Sequence, residues 1–280
     1  NTPVHNIDGV AKVTGRATYT FDVKLPGMLY GKILRSPHPH AKIINIDTTR
    51  AMELPGVHAV VTGKDTLGIK QGIWRRYEEL CDEQILPLEK VRYIGEPVAA
   101  VAAVTEEIAE AALDLIDVEY EVLPAVYEPL EAIKKDAPTI HEGVERNINV
   151  TRHIEWGDVD EGFEQADYIR EDWFKCSGQH HMCMETRAAV SNFTPEGKLT
   201  VWTSTQSAYY HQALLAGVFG LREGDVRILA PYVGGGFGGK FEIDSAQFCS
   251  GILSMKLHKP VKIVLTREED FIASKRRTPM

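Results

Sequence analysis

A seven-residue segment of this sequence, GGGFGGK at Gly234–Lys240, contains five glycines and lies between a predicted strand and a predicted helix. Glycine has no Cβ atom, so a loop of this composition lets the backbone approach a ligand closely. We call this segment the glycine loop. It is the first candidate for a binding site in the chain.

Two nucleotide-binding templates match the glycine loop through glycine density alone. A P-loop needs Ser or Thr directly after its lysine to hold magnesium, whereas Phe241 occupies that position. A dinucleotide fold needs an acidic residue about 20 positions further on, where this sequence has HKPV at 258–261. Both interpretations are therefore disfavoured, and a tight structural turn without a ligand remains an alternative at this point.

Four residues with metal-binding chemistry, His180, His181, Cys183 and Glu185, fall within one short segment. Zinc sites combine one pair of ligands, roughly two to four residues apart, with a second distant pair, and no second pair is evident. We interpret the four side chains as partly buried groups beside a ligand pocket. The prolines of RSPHPH at 35–40 predict a rigid loop, whose histidines we interpret as structural.

Apolar periodicity predicts the elements that must position the glycine loop. In the first 130 residues, short strands surround one helix, for which Thr105 offers an N-cap. Ile108, Ala111, Ala112 and Leu115 form its apolar stripe. The predicted strands of this part are Ala17–Phe21, Tyr30–Leu34, Ile43–Ile46, His58–Thr62, Pro97–Val104 and Val118–Val122.

The second part of the chain predicts further strands and two helices. Helical spacing covers Gln206–Phe219, closed by Gly220, and also Ala246–Leu257. A turn at Pro195–Gly197 joins two strands into a hairpin. The predicted strands are Tyr168–Cys176, Ala188–Phe193, Lys198–Ser204, Val226–Ala230 and Val261–Leu265.

Between residues 131 and 150 the periodicity gives way to polar and turn-forming residues such as KKDAP at 134–138. This composition is typical of a linker. The sequence therefore predicts a fold of the α/β and α+β class with two domains, 1–130 and 151–280, joined by a linker at 131–150.

The composition limits the classes of partner. The 280 residues are 44% hydrophobic and carry a formal net charge of -9, with basic residues dispersed apart from short clusters at Arg75–Arg76 and Lys275–Arg277, which disfavours nucleic-acid binding. No apolar run approaches the roughly 20 residues needed to cross a bilayer, so no membrane insertion is expected. The cysteines form no C-x-x-C pair, and we expect free thiols in the cytoplasm; they are Cys81, Cys176, Cys183 and Cys249.

The glycine loop and the segment STQS at Ser204–Ser207 together resemble the molybdenum hydroxylases of the xanthine dehydrogenase/aldehyde oxidase family, in which two such segments bracket the metal's apical oxo ligand. The resemblance covers essentially the whole chain. HMCME at 181–185 resembles the family's H-x-x-M-E stretch. Three segments resemble its hammerhead domain, namely VTGRA at 13–17, RSPHPHA at 35–41 and RYIGEPVA at 92–99.

The resemblance implies a molybdenum–pterin cofactor, as molybdopterin or its cytosine dinucleotide, with no protein atom bound to the metal. Positioning must then come from hydrogen bonds. The resemblance implies that Gln206 donates its side-chain amide to the apical oxo group and that the Phe237 N–H donates from the other side. Gly235, Gly236 and Gly238 complete the expected cofactor-binding segment.

The chain departs from the purine-oxidising members of this family at one position. Those members carry a glutamate directly after G-G-K, whereas this sequence has Phe241 there and Glu242 one place later. Adjacent side chains point in different directions, so Glu242 does not inherit that role. The resemblance implies a substrate pocket at Phe241 and Glu242 that suits an aldehyde or aryl substrate, as in the aldehyde oxidase and the reductive 4-hydroxybenzoyl-CoA reductase branches.

The resemblance also implies that the second half of the cofactor site lies outside these residues, on a separate or continuing polypeptide. That half carries an R-G-F-G-x-P-Q-like loop and a late glutamate general base. No catalytic residue is expected in this chain, which should be inactive alone. The expected partners are the remaining half of the molybdenum subunit, an iron–sulfur (2Fe-2S) subunit, an FAD subunit and a small-molecule substrate. A non-catalytic scaffold with a hammerhead fold and a nucleotide-binding enzyme remain the alternatives.

Overall fold

The computed structural model describes residues 4–72 and 81–279, so the basic pair Arg75–Arg76 lies outside the described residues. The strands are β1 (Leu29–Arg35), β2 (Ala41–Asp47), β3 (Val57–Thr62), β4 (Lys70–Gln71), β5 (Glu83–Gln84), β6 (Lys90–Val91), β7 (Pro97–Ala103), β8 (Asp117–Val122), β9 (Ala188–Phe193), β10 (Leu199–Thr203), β11 (Val226–Leu229) and β12 (Val261–Val264). The helices are α1 (Gly9–Val13), α2 (Thr49–Glu53), α3 (Gly63–Thr66), α4 (Glu106–Leu113), α5 (Pro129–Ala132), α6 (Val159–Glu164), α7 (Ala208–Phe219), α8 (Ser245–Leu257) and α9 (Arg267–Ala273).

A seven-stranded mixed sheet of order β11-β10-β9-β12-β1-β7-β3 joins the two parts of the chain. The first part supplies β1, β3 and β7, and the second supplies the other four strands. They meet where β1 pairs in parallel with β12, with Leu29 opposite Val261 and Gly31 opposite Ile263. The two predicted domains therefore share one sheet and its core.

Strand β7 shows why the sheet is covered on both faces. All seven of its residues are buried, and its sequence PVAAVAA supplies an apolar or small side chain at every position. Ala100 and Ala102 pack into the core under α7 and α8, whereas Ala99 and Val101 pack on the opposite face with α2 and α4. The alternation follows from the two-residue period of a strand.

Two smaller sheets flank the first part of the chain. One has the order β6-β2-β8 and packs through a small cluster of Ala41, Val91 and Val98. The other is the two-stranded pair β4-β5, in which Lys70 lies opposite Gln84.

Most of the predicted elements are confirmed, with bounds that agree to within two residues. The predicted N-cap of α4 is confirmed, since the Thr105 hydroxyl accepts the Ile108 N–H at 3.3 Å. The hairpin of β9 and β10 is confirmed as well. The predicted α4 stripe is wrong at one position, because Ala111 is exposed and Ala109 is buried in its place.

Two predicted strands are not formed within the described residues. The segment Ala17–Phe21 contributes only a bridge between Tyr19 and Tyr232 and then a 3-10 turn at Thr20–Asp22. The Asp22 carboxylate accepts the Tyr19 N–H at 2.8 Å, which stabilises the turn over a strand. The segment Tyr168–Cys176 has no regular secondary structure, because no strand of the described residues lies beside it.

The region proposed as a linker, residues 131–150, contains the end of α5 and a 3-10 turn at Glu145–Asn147. Its role as a domain boundary stays a prediction. All four cysteines are free thiols in the structure. No helix within residues 4–72 and 81–279 combines the length and the apolar content needed to span a membrane.

The β1–β12 contact predicts a sharp effect of one methyl group. A Cβ atom at Gly31 would lie 2.6 Å from Cγ1 of the buried Ile263, so Gly31→Ala forces the two strands apart. We expect this change to lower the free energy of unfolding by about 1–3 kcal/mol in a denaturant titration. The control is Gly162→Ala in α6, where nothing lies within 4 Å. Equal stability of the two variants would contradict the close packing of this contact.

Candidate functional site

A buried ion pair fixes both ends of the glycine loop. Lys240 is 1% exposed, and its Nζ donates to Oε2 of Glu185 at 2.8 Å. The same carboxylate oxygen accepts the Gly234 N–H at 2.8 Å, and the Glu185 N–H donates to the Gly234 carbonyl at 3.1 Å. A buried ammonium group is stable only with such a partner, so the loop ends are tied to one carboxylate.

A second buried cation, the guanidinium of Arg187, also contacts the glycine loop. Arg187, which directly precedes β9, donates from Nη1 to Asp270 at 2.7 Å and lies 3.3 Å from Asp244 through Nε. Its Nη2 donates to the Gly239 carbonyl. Burial raises the pKa of Asp244 above its ordinary value, and the Arg187 charge opposes that shift. The guanidinium thus joins the loop to α8, whose N-cap is Asp244, and to α9.

Gln206 lies against the glycine loop, two residues before α7 begins at Ala208. Its Oε1 accepts the N–H groups of Gly238 at 3.0 Å and Lys240 at 3.2 Å. Its own N–H donates to the Lys240 carbonyl at 2.9 Å. Because two backbone donors occupy Oε1, the orientation of the side-chain amide is determined, and Nε2 makes no hydrogen bond within the described residues.

The close contact between Gln206 and the loop requires glycine at position 236. A Cβ atom on Gly236 would lie 2.5 Å from both Cδ and Oε1 of Gln206. The loop also turns through left-handed backbone at Gly235 and Gly238, with φ of 100° and 91°. The structure therefore brings Gln206, Gly235, Gly236 and Gly238 together, and their role in binding a cofactor stays a prediction.

Phe237 lies between the glycines of the glycine loop. It has a φ of 52°, a conformation that non-glycine residues rarely adopt, and its side chain is 65% exposed. Its carbonyl accepts a hydrogen bond from Arg277 at 3.4 Å, whereas its N–H donates to no atom of the described residues. The Phe237 N–H and the Gln206 Nε2 are thus two free donors on one short stretch of surface.

The segment at 180–185 supports the loop. Cys183 is buried, with Sγ 3.6 Å from the Gly236 carbonyl oxygen, and His181 lies so close that a Cβ on Gly239 would be 2.7 Å from its ring. The Nε2 atom of His180 forms a hydrogen bond with the Ser274 hydroxyl at 2.7 Å, and its ring stacks on that of Phe271 in α9.

Burial lowers the pKa of His181, and the Arg277 charge adds to the effect. In the described residues, no group of three or more His, Cys, Asp or Glu side chains is arranged to hold a metal ion.

Phe241 and Glu242 lie beside the loop but face different neighbours. Phe241 stacks on Tyr210, with ring centroids 5.7 Å apart and an interplanar angle of 16°. Burial lowers the pKa of His211 to about 4, so this imidazole is neutral and donates from Nε2 to the Phe241 carbonyl at 3.1 Å. The Glu242 carboxylate lies 3.5 Å from Nζ of Lys275.

A cavity of about 390 Å³ opens beside Glu242. Tyr210, Glu242 and Lys275 line it, together with Gln71 and Glu83 from the first part of the chain. Lys275 also forms an ion pair with Glu83. Two carboxylates therefore share one ammonium group at the wall of this cavity.

Sequence reasoning misses the charged residues that hold the loop in place. It considers Lys240 only as a P-loop lysine, and it does not single out Arg187. The sequence offers one signal. Arg187 lies directly beside the uncharged segment AAVSNF, and Lys240 lies directly beside the uncharged glycines. A charge that is buried with such a segment needs a partner from elsewhere in the chain. The partners themselves, 55 and 83 positions away, cannot be identified from spacing.

Two family models match the chain. The model described as the molybdopterin cofactor-binding domain matches residues 140–280, and that of the aldehyde oxidase and xanthine dehydrogenase a/b hammerhead domain matches residues 14–124. A probable xanthine dehydrogenase subunit of Bacillus subtilis is 41% identical over 274 residues, which are 98% of this chain and 36% of that protein. The nicotinate dehydrogenase large molybdopterin subunit of Eubacterium barkeri is 38% identical over 279 residues, or 98% of this chain and 63% of that protein.

Solved structures agree with these matches. Quinoline 2-oxidoreductase from Pseudomonas putida superposes with a TM-score of 0.88 at 31% identity, covering 98% of this chain and 36% of that one. The aldehyde oxidoreductase from Desulfovibrio gigas superposes with a TM-score of 0.89 at 29% identity, covering 98% and 31%. This chain thus spans only part of the length of the relatives it matches. It belongs to the xanthine dehydrogenase/aldehyde oxidase family of molybdopterin-binding large subunits, and it combines the hammerhead domain with the start of the cofactor-binding domain.

Proposed function

We propose that this chain forms part of the molybdenum-cofactor subunit of an oxidoreductase that hydroxylates an aldehyde, aryl or N-heterocyclic substrate. The observation that carries the proposal is the pair of donors without a partner in the described residues, the Phe237 N–H on the glycine loop and Gln206 Nε2 against it, with the loop held rigid by buried charges. The relatives support the reaction class, since those named above include dehydrogenases and oxidoreductases.

The residues present fit an oxygen-rich group that is held without direct ligation. A Cβ on Gly236 would displace the Gln206 amide, so glycine at this position keeps the amide within hydrogen-bonding distance of the loop. Both free groups are neutral donors, which suit an oxo oxygen. No protein ligand to the metal is needed for this arrangement. We propose a cofactor of the molybdenum–pterin class, as molybdopterin or its cytosine dinucleotide.

In this proposal, each residue of the chain performs a positioning task. Gln206 Nε2 and the Phe237 N–H would hold an oxygen of the cofactor through hydrogen bonds, and Gly235, Gly236 and Gly238 would allow that approach. Lys240 and Glu185 would keep the loop and its donor in place, because preorganised donors need no rearrangement during a reaction. The cofactor supplies the oxidation and oxygen-transfer chemistry when it is bound.

The substrate would lie against Phe241, whose ring is already stacked with Tyr210. A flat aromatic substrate gains about 0.5–1.5 kcal/mol from such ring contacts beyond burial. The names of two relatives fit this preference, because nicotinate and quinoline are flat N-heterocycles. We propose Phe241 and Glu242 as parts of the substrate pocket.

The rest of the enzyme belongs to the same proposal. The remaining part of the molybdenum subunit would supply the general base and the second wall of the cofactor site, and 2Fe-2S and FAD partner subunits in the cytoplasm would supply the electron-transfer groups. The relatives support such an assembly through names that describe subunits. We place the boundary between the two domains at residues 131–150.

Replacement of Gln206 tests the cofactor contact. In the assembled enzyme, we expect Gln206→Ala to lower kcat roughly ten- to a thousandfold, the scale observed when one preorganised donor is deleted. The control is Gln165→Ala, an exposed amide in the turn after α6, which should leave kcat unchanged. Molybdenum and pterin are quantified in each preparation. An unchanged kcat at full molybdenum occupancy would end the assignment, and absence of molybdenum from the wild type would favour a scaffold.

The isolated chain should show no substrate oxidation with a dye as electron acceptor. One wall of the cofactor site and the general base are expected on other residues, so the free donors of the glycine loop have nothing to position. Circular dichroism verifies that the sheet is folded in the same sample. Turnover by a pure monomeric chain would contradict the proposed division of the site.

The residue after the loop tests substrate choice. The enzyme should have a higher kcat/KM for benzaldehyde-like compounds than for xanthine, since Phe241 cannot pair with a purine's polar edge. Phe241→Glu introduces a carboxylate, and one buried hydrogen bond from it contributes about 1–3 kcal/mol. The variant should therefore raise kcat/KM for xanthine relative to benzaldehyde-like compounds by about tenfold or more. The matched control is Phe21→Glu, at an exposed aromatic in the first part of the chain. A tenfold preference of the wild type for xanthine would show that another residue supplies the carboxylate.

A further inference from the structure

The residues 148–179, which we call the arm, have no buried side chain over 32 consecutive positions. Among them Trp156 is 95% exposed, Trp173 87% and Phe174 85%. Single exposed apolar residues are ordinary on a protein surface, but several large exposed aromatic side chains within one segment are typical of an interaction site. The arm therefore has the surface of a segment that another polypeptide covers.

One part of the arm has the sequence of a strand without a neighbour. Tyr168–Cys176, YIREDWFKC, contains β-branched and aromatic residues and neither glycine nor proline. Its backbone N–H and C=O groups form no hydrogen bond to the described residues. The segment follows helix α6, which has no buried residue, and the bridge of Gln179 to Arg277 joins the chain to the rest of the structure after it. Unpaired backbone of this kind can add to the edge of a sheet.

We propose that Tyr168–Cys176 is a β-strand that pairs with a sheet in the remaining part of the molybdopterin-binding subunit, whether that part continues this chain or is separate. The inference rests on the proposed function for the identity of its partner. The superposition on quinoline 2-oxidoreductase covers 98% of this chain and only 36% of that one. A coverage of 98% leaves too few residues to omit the arm, so the arm lies within the part of this chain that is matched in a much longer chain.

The side chains of the segment define the surface that receives it. In a strand, Ile169 and Trp173 share one face, and Tyr168 and Phe174 share the other. Each face thus carries two large apolar groups, which fits a strand covered on both sides. The whole arm has eight acidic and three basic residues, so the receiving surface should have a basic rim around its apolar part.

Hydrogen exchange on the assembled enzyme tests the pairing directly. We expect the amides of residues 168–176 to be protected to the same degree as those of β9, whereas an exposed irregular segment exchanges within seconds. Residues 150–157 of the same arm, which have no predicted strand, are the internal reference. Cross-links from Cys176 identify the polypeptide that lies against the strand. Exchange within seconds in an enzyme that contains the remaining part of the subunit overturns the proposal.

Proline substitution supplies a matched pair of variants. Arg170→Pro removes a backbone donor within the segment, and Arg152→Pro does so at an equally exposed position outside it. We expect Arg170→Pro to lower the yield of assembled enzyme about tenfold relative to Arg152→Pro, because proline is not tolerated within a paired strand. Thermal unfolding verifies that both chains keep the seven-stranded sheet. Equal yields overturn the proposal.

The two proposals fail in different ways. Rapid exchange of residues 168–176 in an active, molybdenum-containing enzyme contradicts the proposed strand and is consistent with the proposed function. Protection of these amides in an assembly without molybdenum contradicts the proposed function and therefore also the proposed identity of the partner. Protection found only in a dimer of this chain overturns the inference, since a second copy then occupies the strand's edge.

Discussion

The buried contact between Lys240 and Glu185 is the constraint on which the site depends. An ammonium group that is 1% exposed cannot lose its carboxylate without leaving a buried charge unpaired, a change that costs about 3–5 kcal/mol in comparable sites. The same carboxylate holds the first residue of the glycine loop, so the strain at Phe237 is maintained by an interaction elsewhere. Flexible glycines thereby form a rigid surface.

The seven-stranded sheet gives this loop its foundation. Helix α8 begins shortly after the loop and packs across β9 and β12 from the second part of the chain and β3 and β7 from the first. The loop is therefore attached to a helix that both parts bury. The first part of the chain acts on the site through packing as well as through Glu83 and Gln71, which line the cavity beside Glu242.

Local patterns allow most of the fold to be predicted from the sequence. Strand β7 and helix α4 follow from an apolar run and from an N-cap with periodic alanines, and neither needs a distant partner to be recognised. The strand prediction at Ala17–Phe21 is wrong because a side chain, Asp22, competes for the backbone, and Tyr168–Cys176 has no neighbour in the described residues. The contact of Gln206 with the loop is expected from a resemblance, whereas the ion pairs of Lys240 and Arg187 depend on tertiary contacts that no local spacing encodes.

The pairing of β1 with β12 also has a consequence for biosynthesis. Leu29 leaves the ribosome long before its partner Val261, so β1 has one unpaired edge while more than 200 residues are added. At about 5–20 residues per second, this interval lasts on the order of 10–50 s. A nascent chain with an open, largely apolar strand for that long is exposed to aggregation, and contacts so distant in sequence form slowly. We expect the first part of the chain to rely on chaperones during translation until β12 emerges and closes the sheet.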